Sequence, residues 1–266
     1  MEQPRWEVPV EDRTEWLPAL DAPPPEPQNR ITVLLRLLLL IPQFIVVWLL
    51  SLVAFVVVVI GWFGALFTGR LPAFAADYLG GYLGYETRVL ASVLLMVDRY
   101  PPFRFEAADY PVRIELRPGG PLNRLAVFFR LLLAIPAAIV QGLLLAGWWM
   151  VSFICWLVVL ILGRQPQALF EASAAVLRFR MRFQAYLLML TSAYPKQVFG
   201  DPLDAEPKRS ATRPLVLGGG AKALLVIFLV LGLASWATSS FSGSWSSDSD
   251  NDTDTVTTSG PLRVGP

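Results

Sequence analysis

A mostly apolar run of 37 residues, 31–67, limits what this chain can fold into more than any other feature, because it returns 94 positions later as residues 125–161. Set over each other without a gap, residues 29–101 and 123–195 agree at 26 of 73 positions. Matches between apolar residues carry little weight in such company. The informative ones are polar or conformational: Asn29 with Asn123, Arg30 with Arg124, Arg36 with Arg130, Pro42 with Pro136, Gly69 with Gly163, Arg70 with Arg164, Pro72 with Pro166, Arg88 with Arg182, Tyr100 with Tyr194 and Pro101 with Pro195. The chain is a tandem duplication, and each copy must bury or immerse the same apolar run.

Composition says where. With 55% hydrophobic and 16% charged residues, the chain has too few charges to coat a soluble globule, and it reads as an integral membrane protein. A net charge of +1 gives no global pull toward nucleic acid, so no nucleic-acid partner is expected. There is no histidine, which removes the commonest general base and metal ligand together; neither a metal nor a cofactor is expected. The single Cys155 lies in an apolar run and reads as a buried thiol. Residues 1–30 are acidic and proline-rich without an apolar core, so no signal peptide is expected and the first membrane segment serves as its own insertion signal.

The expected organisation follows these shifts. Residues 1–28 form a disordered Pro-rich tail with one short strand near 6–10. Residues 29–101 are membrane repeat 1. The polar linker 102–122 alternates apolar and charged residues over 103–106 and 112–116, which suggests a small β-hairpin. Residues 123–195 are repeat 2, 196–214 a basic linker, 215–237 a transmembrane helix, and 238–266 a disordered Ser/Thr/Asp tail. The fold class is all-α: tandem helical repeats, each an apolar hairpin or kinked span plus an amphipathic helix, and one further C-terminal transmembrane helix.

The apolar run is too long for one simple crossing. Thirty-seven helical residues extend roughly 55 Å against a hydrocarbon core of about 30 Å. Either Pro42 kinks the chain, 43–67 spans and 74–97 spans back, or residues 31–48 and 52–67 form a hairpin that returns the Gly69-Arg70 corner to its starting side. Trp48 and the pair Trp148-Trp149 fall near the middle of the runs, where a hairpin would turn at an interface, and Gly142 and Gly147 lie there too. Arg36 and Arg130 leave a short uncharged ascending limb, so the hairpin is re-entrant or its arginines snorkel.

The downstream helix tips the choice. At about 100° per residue, Asp77, Gly81, Gly84 and Arg88 share one stripe, as do their equivalents Glu171, Ala175, Arg178 and Arg182, while Leu79, Leu83, Leu90 and Leu94 lie opposite. Arginines in mid-segment cost about 2.5–3.5 kcal/mol each on insertion scales, so an interfacial position is favoured, and with it the hairpin and a total of five membrane segments. The basic linkers 98–124 and 196–214 place the N-terminus in the cytoplasm and the C-terminal tail outside.

Arg130-Leu-Leu-Leu-Ala-Ile-Pro136, the long apolar run, Gly163-Arg164-x-Pro166, the helix with Arg178 and Arg182, and Tyr194-Pro195 resemble the bacterial membrane family called domain of unknown function 4389. The first copy matches at least as well through Arg36–Pro42, Phe67-Thr-Gly-Arg70 and Asp98-Arg-Tyr-Pro-Pro-Phe103. The resemblance implies two tandem copies over about 165 residues. The second copy departs at its end, with Ser-Ala-Tyr-Pro-Lys-Gln in place of Asp-Arg-Tyr-Pro-Pro-Phe. The family offers no catalytic residues to carry over.

Two sets of side chains are candidates for function. Arg36, Arg70 and Arg88, with Arg130, Arg164 and Arg182, could form a cationic rim for anionic lipid headgroups, against the plainer reading of topology marking and snorkelling. Glu86 and Arg180 are equivalent positions of opposite charge and would pair if the second helices meet across a pseudo-two-fold axis. Gly218-Gly-Gly-Ala-Lys222 lacks the spacing of a phosphate loop, and Asp248-x-Asp250-x-Asp252 lacks the glycine and glutamate of a calcium loop. No catalytic constellation is present, so the expected function is a non-enzymatic membrane scaffold or accessory protein acting through membrane lipids, a membrane-protein partner or a homo-oligomer at the cytoplasmic membrane. The alternatives are a transporter or channel component with a path at the repeat interface, and a lipid-modifying enzyme.

Overall fold

A computed structural model describes residues 17–117, 120–201 and 209–245. Each copy opens with short helical turns, two in the first and one in the second, continues as a long apolar helix, and returns in a 21-residue helix. In the first copy these are α1 (Arg30–Leu34), α2 (Arg36–Leu39), α3 (Ile41–Thr68) and α4 (Ala73–Val93). In the second they are α5 (Arg124–Phe128), α6 (Arg130–Leu162) and α7 (Gln167–Leu187), and α8 (Gly219–Trp245) follows. Two three-residue strands, β1 (Ala19–Asp21) and β2 (Arg113–Glu115), pair antiparallel with Leu20 opposite Ile114.

Local chemistry sets the shared boundaries. Asn29 and Asn123 cap α1 and α5, their side chains accepting from the amides of Ile31 and Leu125 at 2.9 and 3.0 Å. Gly69 and Gly163 end α3 and α6 with φ of 74° and 69°, a left-handed conformation that costs other residues energy. Pro72 and Pro166 then restart the chain as the N-caps of α4 and α7. Replacing Asn123 by alanine is expected to lower stability by about 1 kcal/mol, read as a fall in the thermal midpoint in detergent.

The apolar run does not turn at its centre. Trp48 sits two turns inside the unbroken α3, and Trp148-Trp149 mid-way along α6. The expected hairpin is thus replaced by a kinked helix, which bends at Leu35 and Leu40 just ahead of Pro42. The reason is visible in the residues: 43–60 contain no glycine or proline, and an apolar surrounding leaves a turn's backbone groups without partners. Gly147, read as a turn former, instead gives room to the backbone of Phe228 on α8. Among the described residues three helices, rather than five segments, are long and apolar enough to cross a membrane: α3, α6 and the first part of α8.

The second helices also differ from expectation. α4 and α7 do not lie on a surface; 14 and 15 of their 21 residues are buried. On one side α4 packs on α3, where Gly61 meets Leu71 and Ala75, and Tyr78 and Tyr85 bond to the Leu50 carbonyl and to Gln43. On the other it carries a polar layer: the Phe105 ring lies on Gly81, and Ile114 on Gly84. Residues 103–106 form no hairpin with β2, because Arg88 claims the carbonyls of Arg104 and Phe105 for its own donors. β2 pairs with β1 instead, so residues 17–28 are docked rather than disordered. Pro18, Leu20 and Ala22 bond to Arg182 and Thr212. The strand expected near 6–10 lies outside the described residues. α8 runs past residue 237 to Trp245.

The copies interlock about a pseudo-two-fold axis. Trp62 donates its indole N–H to the carbonyl of Val127, and its equivalent Trp156 donates to Val33, at 3.0 and 2.8 Å. Leu122 N bonds to Gly69 O at 2.8 Å, and Gln28 N to Gly163 O at 2.7 Å. Each copy thus lays its opening helix along the closing half of the other copy's long helix.

Candidate functional site

Four of the six arginines proposed to meet lipid headgroups are buried and committed to the protein. Arg36, 5% exposed, donates to Gln28 Oε1 at 3.1 Å, to Asp98 Oδ1 at 2.7 Å and to the carbonyls of Ser92 and Val97. It pins the start of the long helix to the end of α4. Arg130 does the same in the second copy through the Thr191 carbonyl at 2.6 Å, but residue 192 is a serine where the first copy has Asp98. The lost ion pair is replaced by a cation–π contact with Tyr186, whose ring centroid is 4.3 Å from the guanidinium. The aberrant ending of the second copy thus has a structural counterpart.

Arg88 donates to the carbonyls of Arg104 and Phe105, and Arg182 to those of Pro18 and Lys196 and to Gln197 Oε1. Burial, with neighbouring Arg178 adding to it, pushes the Arg182 guanidinium down to about 10. Arg178 itself pairs with Asp201 at 2.6 Å. These guanidiniums work as multi-donor staples that satisfy carbonyls of irregular chain, for which five donors in a fixed fork suit arginine.

Arg70 and Arg164 remain exposed at the turns behind α3 and α6. A second arginine reaches each turn: Arg124 lies against Gly69, and Arg30 against Gly163 with a bond to the Ile161 carbonyl. The duplication makes these arginines visible, yet only the fold joins position 30 of one copy to position 164 of the other. The result is two equivalent basic pairs, each at the end of a long apolar helix.

Glu86 and Arg180 face each other where α4 crosses α7, with Arg180 Nη2 2.5 Å from Glu86 Oε1. Leu83, Leu90, Leu177 and Met181 close around them, and the void that remains is about 10 Å³. A larger apolar groove of about 300 Å³ lies elsewhere, between α1–α2 and the Trp148–Trp156 stretch of α6. Among the described residues no cluster of three His, Cys, Asp or Glu side chains could hold a metal. Cys155 is buried, and Glu171 accepts from the Gly218 amide at the entry to α8. The Asp248–Asp252 stretch lies outside the described residues.

The family model described as "Domain of unknown function (DUF4389)" matches residues 30–104 and again residues 124–198. The chain belongs to the DUF4389 family. Its two matches coincide with the two interlocked copies, so this molecule carries the family domain twice in one body. No curated protein and no solved structure matches the chain.

Proposed function

We propose that this DUF4389 protein is a non-enzymatic scaffold or accessory protein of the cytoplasmic membrane, which holds anionic lipid at its two exposed arginine pairs and offers its polar layer to a protein partner. The observation that carries this reading is the closed repeat interface. A duplicated transporter would keep a polar path between its copies. Here an ion pair among leucines fills that place, and the void of about 10 Å³ is too small to conduct anything larger than a water molecule. The basic residues of the linkers support a cytoplasmic position for the polar layer.

The lipid part is tested by thermal unfolding of the detergent-solubilised protein with phosphatidylglycerol or phosphatidylcholine added. Arginine near an anionic surface contributes roughly 1 kcal/mol each. Phosphatidylglycerol is therefore expected to raise the midpoint of the native protein more than phosphatidylcholine does. That difference should vanish in the variant Arg30→Gln, Arg70→Gln, Arg124→Gln, Arg164→Gln. An equal response of native protein and variant would contradict the reading.

A further inference from the structure

The long helices α3 and α6 are apolar enough to cross a bilayer, yet both ends of α3 are tied to one continuous polar chain. At its start Arg36 pairs with Asp98 at 2.7 Å and donates to the carbonyl of Val97. At its end Gly69 O accepts from Leu122 N at 2.8 Å. The stretch between these anchors passes over the middle of α4, where Phe105 lies on Gly81, Ile114 on Gly84 and Leu116 near Gly80. Apart from β2 its described residues are non-helical, and they are ionic: the side chains of Arg99, Arg104 and Asp109 are more than half exposed. Glu115 pairs with Arg213 beside Asp21.

A second strap repeats the pattern on α7. Pro18 O accepts from Arg182 near the C-terminal end of α7, while Gln28 N bonds to Gly163 O just ahead of its start. The nine residues between them include β1 and the run Pro23-Pro24-Pro25. If α3 and α6 crossed the membrane, both straps would cross beside them, with non-helical backbone and exposed charges at the depth of the acyl chains. Neither is tolerated against lipid.

We infer that α3 and α6 lie along the plane of a single leaflet, both ends at the same aqueous face, with α4 and α7 as a roof between them and the polar layer. The burial of α3 agrees: only Gln43, Ala54, Gly61 and Ala65, one stripe, are buried, and they face the roof. Phe44, Trp48, Leu52, Phe55, Val59 and Phe63 form the opposing stripe and are all at least 40% exposed. The occupant of that face is hydrocarbon. The length of α3, about 42 Å for 28 residues, exceeds a bilayer core when upright and needs no match when flat. Both copies then share one side of the membrane, and their pseudo-two-fold axis stands along the membrane normal. α8 runs antiparallel along α6, with Gly147 on Phe228 and Gly232 on Leu143, and so shares the orientation of α6.

This inference rests on membrane residence and not on the proposed lipid or scaffold role, so the unfolding assay above can fail while it stands. Its test uses the full chain in a Cys155→Ser background, with single cysteines at Arg70, Arg99, Arg124 and Arg164. A membrane-impermeant maleimide is applied to right-side-out and to inverted vesicles. All four positions should react from one face only; Arg70 reacting from the face opposite Arg99 overturns the inference. A nitroxide at Leu52 or Phe63, read for depth by oxygen and nickel accessibility, gives an independent answer. The two depths should agree, whereas an upright helix separates them by about 16 Å.

Discussion

Alanine at Gly147 or at Gly232 is expected to cost about 3 kcal/mol and to loosen α8 from the rest of the molecule. A Cβ on Gly147 would come far inside contact distance of the Phe228 carbonyl oxygen, and one on Gly232 far inside contact distance of the Leu143 carbonyl oxygen. In both cases the obstacle is backbone, which cannot swing aside as a side chain can. The helices must therefore separate, and overpacking costs of 1–3 kcal/mol apply at their upper end. Close glycine contacts matter more in an apolar medium, where helix association depends on packing and gains little from excluding water. The check is thermal unfolding in detergent, with protease sensitivity of α8 as the local readout. Alanine at Gly142, whose Cβ would meet nothing within 4 Å, serves as the control and should be nearly neutral.

Removing either partner of the Glu86–Arg180 pair is expected to cost more than removing both. A leucine at 86 leaves a guanidinium three-quarters buried without its carboxylate; a leucine at 180 leaves Glu86, whose Oε2 has no hydrogen-bond partner among the described residues. Breaking a buried pair costs about 3–5 kcal/mol, and the partial exposure of Arg180 brings the figure for Glu86→Leu nearer 2 kcal/mol. The double leucine variant should recover most of that loss, because leucines already surround the site. The charge swap Glu86→Arg with Arg180→Glu should be more stable than either of its single variants. A double-mutant cycle with a coupling of about 2 kcal/mol is the expected result; additive effects would show that the two side chains do not hold the copies together.

Much of this could be read from the residues because a duplication repeats its structural parts. The paired positions mark structural parts: Asn29 and Asn123 cap helices, Gly69 and Gly163 end them in a left-handed conformation, and Arg36 and Arg130, expected at lipid headgroups, instead anchor the start of the long helices. The Glu86–Arg180 juxtaposition was open to inference for a geometric reason: a residue on a two-fold axis stands next to its own equivalent. Periodicity said less about surroundings. It put Arg88 and Arg182 on a polar stripe but could not say whether that stripe met water, headgroups or the carbonyls of a folded linker, and the carbonyls won. The interfacial preference of tryptophan makes no turn at Trp48, because nothing over residues 43–60 breaks the helix. Trp62 and Trp156 hold the one tryptophan position the two runs share, and their indole N–H groups tie the copies together, a role that nothing in an apolar run distinguishes from ordinary packing.

Each copy closes the other, so that residue 27, just ahead of the first copy, lies across from residue 164 of the second. The direct test places cysteines at Pro27 and Arg164 in a Cys155→Ser background, with a protease site inserted after Arg117 to cut the chain between the copies. After oxidation and cleavage the two halves should run as one band of full-chain mass and separate only with reductant. Halves that separate without reductant, or a cross-link found only between two molecules, would contradict the interlocked fold.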